Sequence, residues 1–208
     1  MTTLQTDRLT LRMLRQADFA AYAEMCANPE VMRYIGDGQT LARPLAWRNL
    51  AMMVGHWSLR GYGLWAAEER SSWVLVGRIG FWNPEGWPGF ELGWMLRRAS
   101  WGRGYATEGA RALIRKGFAE LGVQRVYATT YQDNLASRRV MEKAGLTLVR
   151  TYRMTLADLH ATDTYHTTSE DLWDGDDVEY ALEKAVWERQ EAAEAQPAAR
   201  PLGDHEGP

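Results

Sequence analysis

The chain lacks most of the residues that announce a function from composition alone. Its 208 residues include one cysteine, Cys26. That excludes an internal disulfide and a zinc site built on several thiolates. Histidine is scarce as well, and His56, His160 and His166 show no metal-ligand spacing, so no metal is expected. There is no excess of basic charge: 24 Lys and Arg stand against 27 Asp and Glu. Nucleic acid is therefore not an expected partner. No apolar run is long enough to cross a bilayer, and the polar start does not read as a secretory leader. The expectation is a cytoplasmic protein of one domain, large enough for a real hydrophobic core.

What is present is patterned. Leu9, Leu11 and Met13 alternate as in a strand, and Gln16-Ala-Asp18 opens a helix that reaches about Cys26, where a buried structural thiol is expected. Asn28-Pro29 breaks that helix. Trp47, Leu50, Val54 and Trp57 mark one face of a second helix between Pro44 and Arg60. Residues 62–68 and 73–82 read as a hairpin around the polar turn Glu69-Arg-Ser-Ser72. A strand from Phe90 to Arg97, a helix ending at Gly122, a strand from Val123 to Tyr131 and a helix after Asn134 follow. Leu148–Thr155 and Val178–Leu182 read as a closing pair of strands.

The most informative stretch is Trp101-Gly102-Arg103-Gly104-Tyr105-Ala106-Thr107-Glu108, between a strand and the helix carrying Ala110, Leu113, Ile114, Phe118 and Leu121. Such a turn aims several backbone N–H groups at one spot, and the positive end of the helix dipole adds to them. The spot suits phosphate. It is no dinucleotide fingerprint, because G-x-G-x-x-G would need a third glycine where Thr107 stands. No G-x-x-x-x-G-K-[ST] loop occurs either.

A second motif runs from Tyr131-Gln-Asp-Asn134 through Ser137 and Lys143 to Gly145-Leu146. Asn134 is a good helix cap, with Ser137 three residues beyond it, and Gly145 a plausible stop. With W-G-x-G-Y-A-T-E, N-x-A-S-x-x-V-x-E-K-x-G and the opening Thr6-Asp-Arg-Leu-x-Leu-Arg12, residues 5 to 187 resemble the GNAT N-acetyltransferases, and among them the RimJ/RimL-like branch. The broader family's signature has Gln or Arg where this chain has Trp101, a substitution that the branch tolerates.

That resemblance implies an α/β fold of α+β type: a mixed central sheet of about seven strands, with parallel strands 4 and 5 splayed, flanked by about four helices. The domain would span residues 1–187, with a long insert at 156–177 and a disordered tail at 188–208. Acetyl-CoA would lie in the splay, its pantetheine arm on backbone groups of Met95, Leu96 and Arg97. Its pyrophosphate would lie on Gly102, Arg103, Gly104, Tyr105, Ala106 and Thr107. Glu91, an acid in an apolar strand, is the candidate general base. Ser137 is the candidate donor of a proton to the thiolate, since Met141 stands where many relatives have tyrosine. Asn134 would orient the pantetheine or the serine, and Tyr131 is a reserve donor.

The acceptor would be an amine, either a protein N-terminus or a small cationic molecule. The acidic end of the insert, Glu170, Asp171, Asp174, Asp176 and Asp177, favours a cation weakly. A solvated loop is the plainer reading of that run. Trp82, Trp87 and Trp94 could line an acceptor pocket, although core positions are the stronger expectation. Asp158, His160 and Ser169 would make a hydrolase triad only with a G-x-S-x-G turn, which is absent. Members of the family often dimerise. A GNAT-like module that binds acetyl-CoA without turnover is the alternative from another class.

Overall fold

The computed structural model describes residues 3–85, 87–153 and 176–195. In chain order the elements are β1 (Leu4–Gln5), β2 (Leu9–Arg12), α1 (Phe19–Cys26), α2 (Pro29–Met32), α3 (Arg43–Arg60), β3 (Leu64–Glu69), β4 (Leu75–Trp82) and β5 (Phe90–Leu96). Then come α4 (Tyr105–Glu120), β6 (Arg125–Tyr131), α5 (Leu135–Lys143), β7 (Thr147–Tyr152), β8 (Asp177–Glu183) and α6 (Lys184–Ala195). The strands form one sheet in the order β1-β2-β3-β4-β5-β6-β8-β7. Every pairing is antiparallel except β5 with β6.

Local chemistry sets most boundaries. Asn28 Oδ1 accepts from the amides of Glu30 and Val31, and Pro29 fills the first helical position of α2. Gly61, at φ 75°, ends α3 in the left-handed conformation. The α3 stripe that faces the core is Ala46, Leu50, Met53 and Trp57. Trp47, expected on that face, is 41% exposed and packs edge-on against Phe19.

The sheet separates two hydrophobic layers. On one face α4, α5 and α6 cover Ile79, Phe81, Leu92, Val126 and Leu182. On the other, α1, α2 and α3 cover Leu64, Ala66 and Met95. Between β2 and β3, Arg12 makes two bonds of 2.8 Å to Asp18 and one of 2.7 Å to Glu68. The pairing fixes the chain before α1 against the sheet.

The α/β class and mixed sheet agree with expectation, with eight strands and six helices among the described residues. Because β1 precedes the first strand expected, the splayed pair is β5 and β6. The helix Lys184–Ala195 crosses the expected start of the tail, and Trp187 packs on Phe118 at 5.3 Å. Asp176 and Asp177 are the only residues of the 156–177 insert within the described set, and Asp177 opens β8. His160, His166, Asp158 and Ser169 lie outside the described residues.

Close approach of α4 to the sheet depends on Gly109, where an added Cβ would stand 2.5 Å from Ile79 Cδ1. Gly109→Leu is expected to destabilise the protein by about 1–3 kcal/mol through overpacking, measured by urea unfolding.

Candidate active site

β5 and β6 pair only at Phe90 with Val126 and Glu91 with Tyr127. Beyond these residues each strand keeps only its outer partner: β5 stays on β4 as far as Leu96, and β6 stays on β8 throughout. A wedge opens toward the carboxyl ends of both strands, where α4 and α5 begin. The Arg97 amide donates to Val76 O at 2.9 Å. Alternation along an antiparallel ladder then turns the backbone of Met95 to β4 and that of Leu96 and Trp94 into the wedge. Leu96 O accepts the Trp101 indole N–H at 2.9 Å, and Arg97 O accepts the Ser100 amide at 2.9 Å.

The turn after β5 is a nest of amides. Gly102 and Gly104 have φ 73° and 82°, conformations that strain other residues. Glu108 N–H makes the first helical bond of α4, to Gly104 O. No side chain caps this helix. Among the described residues, the amides of Gly102, Arg103, Gly104, Tyr105, Ala106 and Thr107 donate to no carbonyl or side chain. A Cβ on Gly102 would meet nothing within 4 Å, so the turn is open on that side. This geometry fits a pyrophosphate.

Trp101 braces the turn. Besides its bond to Leu96 O, its ring carries the Arg98 guanidinium at 4.8 Å. Arg103 is turned to Glu69 at 2.8 Å, where the Tyr105 hydroxyl also donates.

Glu91 stands where the wedge begins, half-buried on the α1–α3 face. Its Oε1 accepts from Thr129 Oγ1 at 2.6 Å and its Oε2 from the Trp87 indole at 2.8 Å. Burial pushes its carboxyl above the usual range, and these two hydrogen bonds pull it part of the way back. Trp87 thus touches the candidate base. Trp82 stacks on His56 at 4.6 Å, and Trp94 packs against the core on the other face.

At the mouth of β6, Asn134 Oδ1 caps α5 through the Ser137 amide at 3.2 Å, while its Nδ2 donates to Thr130 Oγ1 at 2.9 Å. Ser137 is half-buried, and its hydroxyl enters no hydrogen bond among the described residues. Met141 is buried. The Tyr131 hydroxyl donates to Gly36 O at 2.5 Å, and burial raises its pKa above the ordinary tyrosine value. No hydrogen bond joins Glu91 to Ser137 among the described residues.

A model of the acetyltransferase (GNAT) domain matches residues 8–147. The chain belongs to the GNAT acetyltransferase family. It is 34% identical over 160 residues to YkkB of Bacillus subtilis, covering 73% of this chain and 89% of that one. It is 31% identical over 199 residues to an Aspergillus fumigatus protein named FsC-acetyl coenzyme A-N(2)-transacetylase, covering 90% and 78%. Among solved structures, RimL, the ribosomal L7/L12 alpha-N-protein acetyltransferase in complex with coenzyme A, superposes with a TM-score of 0.70 at 16% identity. That match covers 89% of this chain and 99% of RimL, and shows a shared fold. As a GNAT acetyltransferase the chain is an acetyl-CoA-dependent acyltransferase.

Two GNAT motifs far apart in sequence meet here. Glu108, closing W-G-x-G-Y-A-T-E, accepts from the Thr6 hydroxyl at 2.5 Å, the Arg8 amide at 2.8 Å and Arg8 Nε at 2.7 Å. Burial would raise the Glu108 carboxyl, but these bonds outweigh it and hold the pKa below the usual value. Arg8 Nη1 donates to Arg103 O at 2.8 Å. The opening Thr-Asp-Arg therefore holds the amide nest in place, a role its own spacing does not reveal. Thr129 is a second such residue, one polar side chain in a strand of polar and apolar residues.

A carboxyl with a raised pKa is protonated over more of the acid range. Turnover is therefore expected to fall as pH drops through the elevated Glu91 value. Thr129→Val removes a bond to the charged form and should move that limb to higher pH, and Glu91→Gln should abolish it. A pH profile of kcat/KM for the three proteins measures this.

Proposed function

We propose that this protein moves the acetyl group of acetyl-CoA directly onto a primary amine, on a protein N-terminus or a small cationic molecule. The carrying observation is the run of amides from Gly102 to Thr107 with no partner, set beside the wedge between β5 and β6. Acetyl-CoA, when bound, supplies an acyl group activated as a thioester. The nest would hold its pyrophosphate, with Leu96 and its neighbours Met95 and Arg97 along the pantetheine arm.

Glu91 takes a proton from the attacking amine, directly or through one water, and its raised pKa makes it a stronger base than an ordinary carboxylate. An amine with a pKa near 7.7–8.0, such as an N-terminus, needs less help than one near 10.4. A backbone N–H of β5 that faces the wedge stabilises the carbonyl oxygen as charge develops there. Ser137 Oγ gives a proton to the departing sulfur. Asn134 places that serine by fixing the first turn of α5. The Tyr131 hydroxyl, engaged by Gly36 O, is the reserve. Trp101 in the signature and Ser137, with Met141 in place of tyrosine, support the RimJ/RimL-like branch. The name of the Aspergillus relative, an N(2)-transacetylase, supports nitrogen as the acceptor atom.

Titration with acetyl-CoA in a calorimeter tests the cofactor site. Micromolar binding is expected for the wild type, with at least a tenfold loss in Gly104→Trp, whose side chain would crowd Arg8 behind the nest and strain the left-handed turn. A folded wild type that binds no acetyl-CoA overturns the reading. Ser137→Ala should lower kcat by about 10²-fold or more with acetyl-CoA affinity unchanged, the range for loss of a general acid. Single-turnover thiol release measures it.

A further inference from the structure

Eleven of the twenty arginines among the described residues have a carboxylate partner. Half-buried Arg12 has Asp18 and Glu68, Arg103 has Glu69, and Arg125 and Arg150 share Glu179. Arg78, half-buried in the middle of β4, has none. Its Nε is buried without a hydrogen-bond partner, and it enters no ion pair among the described residues. Leaving a shielded charge unpaired works against folding. Its side chain meets the Tyr22 hydroxyl, and its charge reaches the Cys26 thiol and Glu91, the one carboxylate among these groups. Tyr22 already donates to Asn49 at 2.5 Å.

The position of Arg78 relative to the candidate base is informative. On this face β4 and β5 present three cross-strand pairs in succession: Arg78 with Met95, Gly80 with Gly93, and Trp82 with Glu91. The middle pair contributes no side chain; a Cβ built on Gly93 would meet nothing within 4 Å, whereas one on Gly80 would stand 2.3 Å from Gly63 O. The sheet face is open over Gly93, with a carboxylate at one end and a guanidinium that enters no ion pair among the described residues toward the other. Glu91 and the Arg78–Met95 pair are ~13 Å apart along the strand, and the long arginine side chain can bridge part of that distance.

We propose that Arg78 anchors a carboxylate of the acceptor, so that the preferred substrate is an amine carrying an acid group several bonds away. The amine lies over Glu91 and the acid group pairs with the guanidinium, which suits planar, two-pronged recognition of a carboxylate. A diamino acid acetylated on its side-chain amine has this form, and so does an N-terminus followed by an acidic residue. The inference rests on the acetyl-transfer reading above, and it narrows the acceptor from any cation to one with a balancing negative charge.

The test uses the full chain saturated with acetyl-CoA and matched amines that differ in the acid group. The pairs are lysine against cadaverine, and Ala-Glu-amide against Ala-Gln-amide, followed by thiol release. The acid-bearing member of at least one pair is expected to be favoured by about 10–100-fold in kcat/KM, chiefly through KM. Arg78→Met should bring that ratio near 1 while its Tm is unchanged or raised, because the variant removes an unpaired charge. Arg78→Lys should keep part of the preference and guards against misfolding of the first variant. Equal rates within both pairs, a preference that survives Arg78→Met, or acetyl-CoA binding with no amine acetylated would each overturn the proposal. Failure to bind acetyl-CoA at all would sink the functional reading itself and this inference with it.

Discussion

The parting of β5 from β6 after Glu91 and Tyr127 is the constraint on which the rest of this structure depends. A parallel pair in mid-sheet ordinarily continues its ladder, because buried backbone groups left unpaired are costly. Here each strand keeps its outer neighbour and gives up the inner one. The groups released on β5 need a polar occupant, and the helices that follow both strands begin at the same edge. The amide nest, the Asn134 cap with Ser137, and Glu91 at the apex are all positioned by that single interruption.

Around the wedge the protein divides its polar chemistry by purpose. Asn28 and Asn134 satisfy the first amides of α2 and α5, whereas α4 has no cap and keeps its amides available. Arg8, Thr6 and Glu108 stiffen the nest from behind, and Trp101 stiffens it from the side. Arg103, although it lies within the nest, is held by Glu69. Positive potential at the nest therefore comes chiefly from the backbone, which suits a loop built on two left-handed glycines.

Sequence reading reached whatever local spacing encodes. Gly102 and Gly104 between a strand pattern and a helix pattern, Asn134 ahead of Ser137, and an acid at Glu91 in an apolar strand were all legible. Contacts between residues distant in the chain were not. Thr129 reaches Glu91 across 38 positions, and Thr6 reaches Glu108 across 102. Arg78 reads in sequence as one more strand arginine, and only the sheet register sets it on the same face as Glu91, with Gly93 between them. The helix Lys184–Ala195 escaped because its polar composition resembles a tail, while Val186 and Trp187 pack it on the core beside Phe118. β1 is too short to show a period.

The wedge also divides the chain in time. β1 to β5 all precede the nest in sequence, and β6 to β8 all follow it. The meander β3-β4-β5 joins neighbours through short connections, so its loop-closure cost is small and it can form early. The β6–β8 ladder must first bring together segments separated by α5, β7 and the long insert, which slows its closure. The groove is thus the seam between a fast half and a slow half of one sheet, joined by two paired positions and the packing of α4.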